Sequence, residues 1–262
     1  MNKISLQMYT LRDFTKTPED LRETIFKLRD IGFSMIQYSI PKTFDTNQVK
    51  AIFDEAKMKN DSVFCALNDL DDRANEIICQ CDMFETQRIR VGSIPRELSV
   101  SASGYREYTN ILNKAGQAYK KEGKKFLYHF HAFEFIRFGD TTGIDILLDE
   151  SDPEVLEIIP DTHWIQTGGK DPETFLRQHK DRFVYMHAKD YELGPREDML
   201  EAHAARYAPV GEGNLDWNGI LSACKDAGVM SYGIEQDEFY GRDPFDAVKS
   251  SFDFLASMGV NE

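Results

Sequence analysis

Four short apolar segments of this sequence end in side chains that can bind a metal ion or move a proton. These side chains are Asp161 in the segment LEIIPDTHW, His187, Lys189 and Asp190 in FVYMHAKDY, Glu235 in SYGIEQDE, and His129, His131 and Glu134 in KFLYHFHAFEF. Imidazole nitrogens and carboxylate oxygens together form the ligand type that suits Mn²⁺, Zn²⁺, Co²⁺ or Fe²⁺ better than thiophilic metals. A dication would also offset the repulsion between carboxylates gathered in one place.

The apolar segments belong to a longer series that predicts β-strands. Each is too short for a helix and too apolar for a surface strand, which is typical of a sheet covered on both faces. The predicted strands are Ile4–Met8, Met35–Tyr38, Val63–Leu67, Arg88–Val91, Phe126–Phe130, Val155–Ile159, Phe183–Met186 and Ser231–Ile234.

Helical patterns separate these strands. The clearest is TPEDLRETIFKLRDIGF, where Thr17 can cap, Pro18 suits the first turn and Gly32 suits the end. Strands that alternate with helices predict parallel βαβ units, and eight such units match the usual size of a closed barrel. We therefore predict the α/β class, with a single (β/α)8 TIM barrel domain over residues 1–262. A doubly wound sheet is the alternative, but LQMYTLRD after the first strand has no glycine for a phosphate loop.

The barrel prediction explains why chemistry-bearing residues follow the strands. Parallel strands of a barrel point the same way, so their carboxyl ends meet at one rim, where active sites lie. Asp161, His187 and Glu235 are distant in sequence, yet we expect them to be neighbours on that rim.

Several motifs, taken in chain order, resemble the sugar phosphate isomerase/epimerase superfamily, whose xylose isomerase-like TIM barrels are similar to xylose isomerase and endonuclease IV. They are LQMYTLRD (6–13), YHFHAFEF (128–135), DTHWIQTGGKDP (161–172), HAKD (187–190), VGEGNLDW (210–217) and IEQDEFYGRDPFDAVKSSFDFL (234–255). The likeness spans nearly the whole chain and covers the first, fifth, sixth and seventh strands and the last loop, strand and helix.

The resemblance implies one divalent metal ion (Mn²⁺, Zn²⁺, Co²⁺ or Mg²⁺) held by strand-end groups. Asp161, His187 and Glu235 fall on the superfamily's ligand positions. On the fifth strand this chain has His129 where related epimerases carry an early glutamate, and a glutamate follows later, at Glu134. We expect Glu134 as the fourth ligand, with His129 as the alternative.

A metal ion next to a carbonyl and a hydroxyl favours removal of the intervening C–H proton and stabilises the enediolate. We expect Glu235 or Glu134 to be the base and Lys189 to be a cation near the developing oxyanion. The primary prediction is a metal-dependent sugar or keto-sugar isomerase or epimerase. A dehydratase acting on a keto-sugar, polyol or glycoside shares this first step and is the alternative. An endonuclease IV-like hydrolase and a sugar-binding barrel without activity are further alternatives.

Other residues are candidates for substrate binding or for structural roles. The substrate-binding candidates are Tyr9, His129, His131, His163, Trp164 and Trp217. Trp164 and Trp217 could face the apolar C–H surface of a sugar, or belong to the core. Lys189 and Asp190 could instead form an ordinary ion pair with each other.

Composition limits the classes of partner. The formal charge of −14, from 45 acids and 31 bases, argues against nucleic acid as a partner. No apolar segment reaches the length of a membrane span. The four cysteines lack Cys-x-x-Cys spacing, which favours a reducing compartment. MNKISLQMY lacks the apolar stretch of an export signal. We therefore expect a cytoplasmic enzyme with a small-molecule substrate, without a Gly-rich or paired-arginine phosphate site; a homo-oligomer is compatible with the sequence.

Overall fold

Short strands alternate with helices along the chain. The computed structural model describes residues 4–194 and 205–260. The strands are β1 Ile4–Gln7, β2 Met35–Gln37, β3 Lys59–Asn60, β4 Val63–Cys65, β5 Arg88–Val91, β6 Lys125–His129, β7 Arg137–Phe138, β8 Thr141–Thr142, β9 Leu156–Ile159, β10 Tyr185–Ala188, β11 Asp190–Leu193, β12 Ala205–Ala208 and β13 Ser231–Ile234.

The helices fill the intervals between the strands. They are α1 Pro18–Ile31, α2 Thr46–Glu55, α3 Ala74–Met83, α4 Ala102–Lys121, α5 Gly143–Glu150, α6 Thr162–Thr167, α7 Pro172–Gln178, α8 Trp217–Asp226 and α9 Pro244–Ser257. Short 3₁₀ helices cover Met8–Phe14, Leu67–Asp69 and Ala132–Phe135. Among the residues described, no helix is both long and apolar enough to cross a membrane.

The chain divides into two compact units. Among the described residues, the first comprises 4–60, 187–194, 205–221 and 230–260, and the second comprises 61–186 and 222–229. A single domain over residues 1–262 therefore stays a prediction.

The first unit is built on a parallel sheet whose central strand is β1. Strand β1 pairs in parallel with β13 through Leu6 and Ile234, and with β2 through Leu6 and Ile36. The predicted helix start is confirmed, because Thr17 and Asp20 form a reciprocal capping box. Gly32 ends α1 with a φ of 126°, a conformation that favours glycine.

The second unit contains four parallel strands in the order β4-β5-β6-β9. Its core includes one cluster of buried residues, Leu127, Ile159 and Tyr185. Parallel pairing places the carboxyl ends of neighbouring strands β6 and β9 side by side, with His129 opposite Ile159.

Six of the eight predicted strands have different bounds in the structure, and two of these differences concern residues of the candidate site. The predicted strand Phe183–Met186 is shifted by two residues, because the structure has β10 at Tyr185–Ala188. His187 is therefore a buried residue inside the strand. The first strand ends at Gln7, and its predicted last residue, Met8, begins a 3₁₀ helix. The Gln7 side chain accepts a hydrogen bond from the Tyr9 amide and caps this helix.

Candidate functional site

In the first unit, His187 and Glu235 come together at the ends of β10 and β13. His187 Nδ1 lies 2.7 Å from Glu235 Oε2. His187 Nε2 lies 3.0 Å from Gln37 Oε1, at the end of β2. All three side chains are buried, and His187 and Gln37 are fully inaccessible to solvent.

Gln37 and Glu235 contact opposite nitrogens of the His187 ring. Gln37 Oε1 lies at Nε2, and Glu235 Oε2 lies at Nδ1. With the Gln37 amide oxygen at Nε2, that nitrogen donates the hydrogen bond, and Nδ1 and the carboxylate can then both bind a metal ion. The pair is therefore suited to metal binding, with Gln37 as the outer partner that orients the ligand.

Lys189 is the cation of this cluster. Its ammonium group lies 2.6 Å from Asp237 Oδ2 and 3.4 Å from Glu235 Oε1. The side chain is 1% exposed, and the Tyr207 ring centroid is 5.0 Å from its nitrogen. A buried ammonium is tolerated only where carboxylates compensate it, and Lys189 has two such partners.

The suggestion that Lys189 pairs with Asp190 is wrong, because Asp190 serves a different set of donors. Its carboxylate accepts hydrogen bonds from the backbone amides of Tyr191, Gly211, Gly213 and Leu215 and from Trp217 Nε1. A Cβ at residue 213 would lie 2.3 Å from Asp190 Oδ1, so only glycine fits there. Asp190 thus fixes the loop that carries VGEGNLDW. Trp217 is buried, and its indole N–H is held by Asp190.

We expect Asp190→Ala to lower the free energy of unfolding by about 3–5 kcal/mol, because several buried donors lose their acceptor at once. Asp190→Asn keeps one oxygen and should have an intermediate effect. Asp149→Ala, at an exposed position of α5, is the control. Urea unfolding followed by circular dichroism measures the three values. An Asp190→Ala variant as stable as the control would mean that the loop is held by other contacts.

In the second unit, His129 and Asp161 come together at the ends of β6 and β9. His129 Nε2 lies 3.3 Å from Asp161 Oδ2. Asp161 Oδ1 accepts a hydrogen bond from the Trp164 amide and caps α6. The cap thus fixes the carboxylate through one oxygen and leaves the other oxygen beside the imidazole. Asp161 is fully buried, and the His129 side chain is 12% exposed.

Glu134 lies in the 3₁₀ turn after β6, and both of its carboxylate oxygens are engaged within this unit. Oε1 accepts a hydrogen bond from the Tyr128 hydroxyl, and Oε2 accepts one from the His131 amide at 2.8 Å. The residue is fully buried. These contacts favour His129, the alternative ligand, over Glu134, and they leave Glu235 as the better candidate for the base.

Burial raises the pKa of Glu134 to about 7, against the opposing effect of its hydrogen bonds from Tyr128 and the His131 amide. A carboxyl group whose pKa is higher in the folded protein than in the unfolded chain contributes its full stability at pH values below the unfolded pKa. This contribution to the free energy of unfolding is lost as pH rises through the folded pKa. We expect the free energy of unfolding of the wild-type protein, relative to that of Glu134→Gln, to fall by about 3 kcal/mol as pH rises from below the unfolded pKa of Glu134 to above its folded pKa. Urea titrations of both proteins in a chelator, at a series of pH values, measure the difference. A constant difference would show that the pKa of Glu134 is the same in the folded and the unfolded protein.

Aromatic and imidazole rings form a chain of contacts that starts at His129 in the second unit. The His131 ring packs edge-on to His129 at a centroid distance of 4.7 Å and stacks on Phe133 at 5.2 Å. Trp164 lies 5.7 Å from His131 and 4.6 Å from His163. His163 Nε2 is also 3.4 Å from Thr167 Oγ1. Three predicted substrate-binding residues (His131, His163 and Trp164) are therefore neighbours, and their role stays a prediction.

Tyr9, the remaining candidate, lies in the 3₁₀ helix of the first unit and is 54% exposed. The Arg12 guanidinium lies over its ring at 4.4 Å and also donates to the Asp237 carbonyl. Gln37 and Asp237 are not among the site residues predicted from the sequence. Both are polar residues at or just after strand ends, the same signal that identified Asp161 and Glu235.

The donor types fit a divalent cation. Each unit supplies one imidazole and one carboxylate of the kind that can hold a metal ion: His187 and Glu235 in the first unit, and His129 and Asp161 in the second. Nitrogen and oxygen donors in equal number suit Zn²⁺, Mn²⁺ or Co²⁺ better than Mg²⁺, which prefers oxygen ligands.

The model of the xylose isomerase-like TIM barrel family matches residues 25–258. A curated inosose dehydratase from Geobacillus kaustophilus is 29% identical over 124 residues, which are 46% of this chain and 38% of that protein. The chain spans less than half the length of the curated relatives that it matches.

Solved structures share the fold. A sugar phosphate isomerase/epimerase from Parabacteroides distasonis superposes with a TM-score of 0.83 and 19% identity, covering 100% of this chain and 96% of that one. The IOLI protein, crystallised with a bound zinc atom, superposes with a TM-score of 0.68 and 14% identity, covering 99% of each chain. The predicted (β/α)8 barrel class is confirmed by these matches.

Proposed function

Because the chain belongs to the xylose isomerase-like TIM barrel family, we propose that it is a metal-dependent dehydratase that removes water from a keto-sugar or a cyclic keto-polyol. The observation that carries the choice of reaction is the match to a curated inosose dehydratase. The buried cluster of His187, Glu235 and Lys189 supports the chemistry, because it combines a ligand, a base and a cation.

The cofactor of this proposal is one divalent cation held jointly by His129, Asp161, His187 and Glu235. Support comes from their donor types and burial and from the zinc atom of the IOLI protein. Such an ion polarises a substrate carbonyl and stabilises the negative charge that develops on its oxygen. Zn²⁺, Mn²⁺ and Co²⁺ are the preferred candidates, and Mg²⁺ is the weaker one.

Glu235 is the proposed base. Its carboxylate takes the proton from the carbon next to the substrate carbonyl, and the electron pair is delocalised onto the carbonyl oxygen. Lys189 adds positive charge close to this carboxylate, at 3.4 Å, and can donate a hydrogen bond to the charged oxygen. The carbonyl then re-forms while a C=C bond forms and the C–O bond of the β-hydroxyl breaks. The hydroxyl leaves as water after it receives the proton that Glu235 removed.

Isomerisation or epimerisation, the primary prediction from the sequence, begins with the same proton removal and differs in where the proton returns. The solved isomerase/epimerase shares the fold at 19% identity, which supports no choice of reaction. The curated relative favours the dehydratase. A cytoplasmic location and a homo-oligomeric state stay predictions.

Incubation of the metal-loaded protein with inosose in D₂O tests the proposal. We expect the substrate to lose the mass of water and an ultraviolet absorbance of the unsaturated product to appear. Protein stripped with a chelator should be inactive and should recover when Zn²⁺, Mn²⁺ or Co²⁺ is restored. A panel of keto-sugars run in parallel defines the substrate class.

Other results would favour the alternatives. Deuterium incorporated without loss of water would indicate an isomerase or epimerase. Full activity after verified removal of metal would contradict the metal-dependent step. Metal binding with neither deuterium exchange nor loss of water across the panel would exclude proton removal from the class of substrates proposed.

A further inference from the structure

Glu134 is a buried acid of the second unit that has no role in the proposed metal binding or proton transfer. Glu134 is fully buried, one residue before the end of the 3₁₀ turn Ala132–Phe135. A carboxyl without solvent contact is costly unless its oxygens are hydrogen-bonded. Both oxygens meet this requirement through Tyr128 and the His131 amide.

The Tyr128 hydroxyl is itself fixed in place. It accepts a hydrogen bond from the Ile94 amide at 3.3 Å. The Tyr128 ring packs edge-on against Tyr108 at 5.6 Å, and the Tyr108 hydroxyl donates to the Gly92 carbonyl at 2.7 Å. Glu134 therefore binds one donor on the rigid strand β6 and one donor on the turn that follows it.

These two donors lie on either side of His129 in the sequence. Tyr128 precedes it in β6, and His131 begins the turn. The His129 and His131 rings are in edge-on contact at 4.7 Å, so a displacement of the turn would move both rings. The Glu134 carboxylate thus connects the chain just before the proposed ligand, at Tyr128, with the chain just after it, at His131.

We propose that Glu134 is a positioning residue. By accepting hydrogen bonds from both the His131 amide and the Tyr128 hydroxyl, it links the turn to β6 and thereby orients the His129 imidazole toward the metal. This inference rests on the proposed function, because it assumes that His129 is a ligand. It replaces the prediction that Glu134 is itself a ligand or the base. A residue already bound through both oxygens would have to break those bonds to act in either role.

Glu134→Leu, Glu134→Gln and Tyr128→Phe test the proposal, with Zn²⁺ as the probe. Leucine preserves most of the volume but provides no acceptor, whereas glutamine keeps a carbonyl oxygen for the His131 amide. We expect Glu134→Leu to weaken Zn²⁺ binding by about 10–100-fold, as found for outer partners of metal ligands. Glu134→Gln should restore the affinity to within about 5-fold of wild type, and Tyr128→Phe should lie between them.

Affinity is measured by competition with a chromophoric chelator at a temperature where urea unfolding shows every variant to be folded. His129→Ala gives the effect of losing the ligand itself, and Glu122→Leu, at the exposed end of α4, is the matched control. A role in stability alone would lower the unfolding midpoint and leave the Zn²⁺ affinity of the folded variants unchanged. That result would overturn the proposal. If Glu134→Leu does not fold, Tyr128→Phe takes its place. Weaker Zn²⁺ binding by folded Tyr128→Phe than by Glu134→Gln would support the proposal, and equal affinities would overturn it.

A loss of affinity in Glu134→Gln as large as in His129→Ala would also overturn the proposal, because it would make the carboxylate a direct ligand. Failure of the proposed function gives a different pattern: the wild-type protein itself would not bind Zn²⁺, or would bind it without any effect of His129→Ala. The two failures are therefore distinguishable in a single set of titrations.

Discussion

Glu235→Gln is expected to reduce turnover by a factor on the order of 10³ or more. Loss of a general base alone lowers turnover by about 10²–10⁴-fold. The amide cannot accept the substrate proton, and it presents a weaker ligand beside His187 Nδ1. Metal affinity should fall by at least about 100-fold, because even the loss of an outer partner costs about 10–100-fold. Steady-state kinetics at saturating metal and a separate metal titration measure the two effects.

The neighbouring Glu238 provides the matched control. Its side chain is 62% exposed and pairs with Arg12 at 3.3 Å, outside the buried cluster of His187, Glu235 and Lys189. Glu238→Gln should retain metal affinity and turnover within about 3-fold, since exposed ion pairs contribute little. If Glu235→Gln behaved like this control at saturating metal, another group would have to be the base.

The fold and most of the candidate site residues could be predicted because they depend on local patterns. The spacing of apolar segments reflects strands buried on both faces. A capping signal such as Thr17 and Asp20 acts within four residues. The strand-end rule identified Asp161, His187 and Glu235 for a geometric reason, since parallel strands end at one edge of their sheet.

The remaining features depend on partners that are remote in sequence. Nothing near Asp190 indicates that its carboxylate will accept hydrogen bonds from residues 211–217 rather than pair with Lys189. The orientation of His187 depends on Gln37, which is 150 residues away. The preference for His129 over Glu134 as the proposed ligand rests on the hydrogen bond from Tyr128 to Glu134, a contact made only in the folded chain.

The buried charges of the first unit share one physical constraint. Lys189, Glu235 and Asp237 are all poorly accessible, and each ion stabilises its neighbours only while the group is complete. A substitution at any one position therefore changes the environment of the others. For this reason, the contribution of Lys189 to catalysis must be separated from its contribution to the stability of the cluster.

Lys189→Met is expected to lower kcat by about 100–1,000-fold while metal affinity changes by less than about 10-fold. The variant removes the positive charge that we assign to the developing oxyanion, and methionine preserves much of the apolar stem. It does not remove a proposed metal ligand, so its effect should differ from that of Glu235→Gln. Lys59→Met, at an exposed position of β3, is the control and should behave like wild type.

The double variant Lys189→Met/Asp237→Asn separates charge from stability. In Lys189→Met, Asp237 keeps its hydrogen bond with Tyr207 but loses an ammonium group 2.6 Å away, and a buried carboxylate without a counterion is destabilising. Neutralising Asp237 should restore much of the lost unfolding free energy without restoring kcat. Recovery of kcat together with stability would mean that Lys189 only compensates Asp237. A kcat that stays low in the stabilised double variant would place the lysine charge at the reacting oxygen.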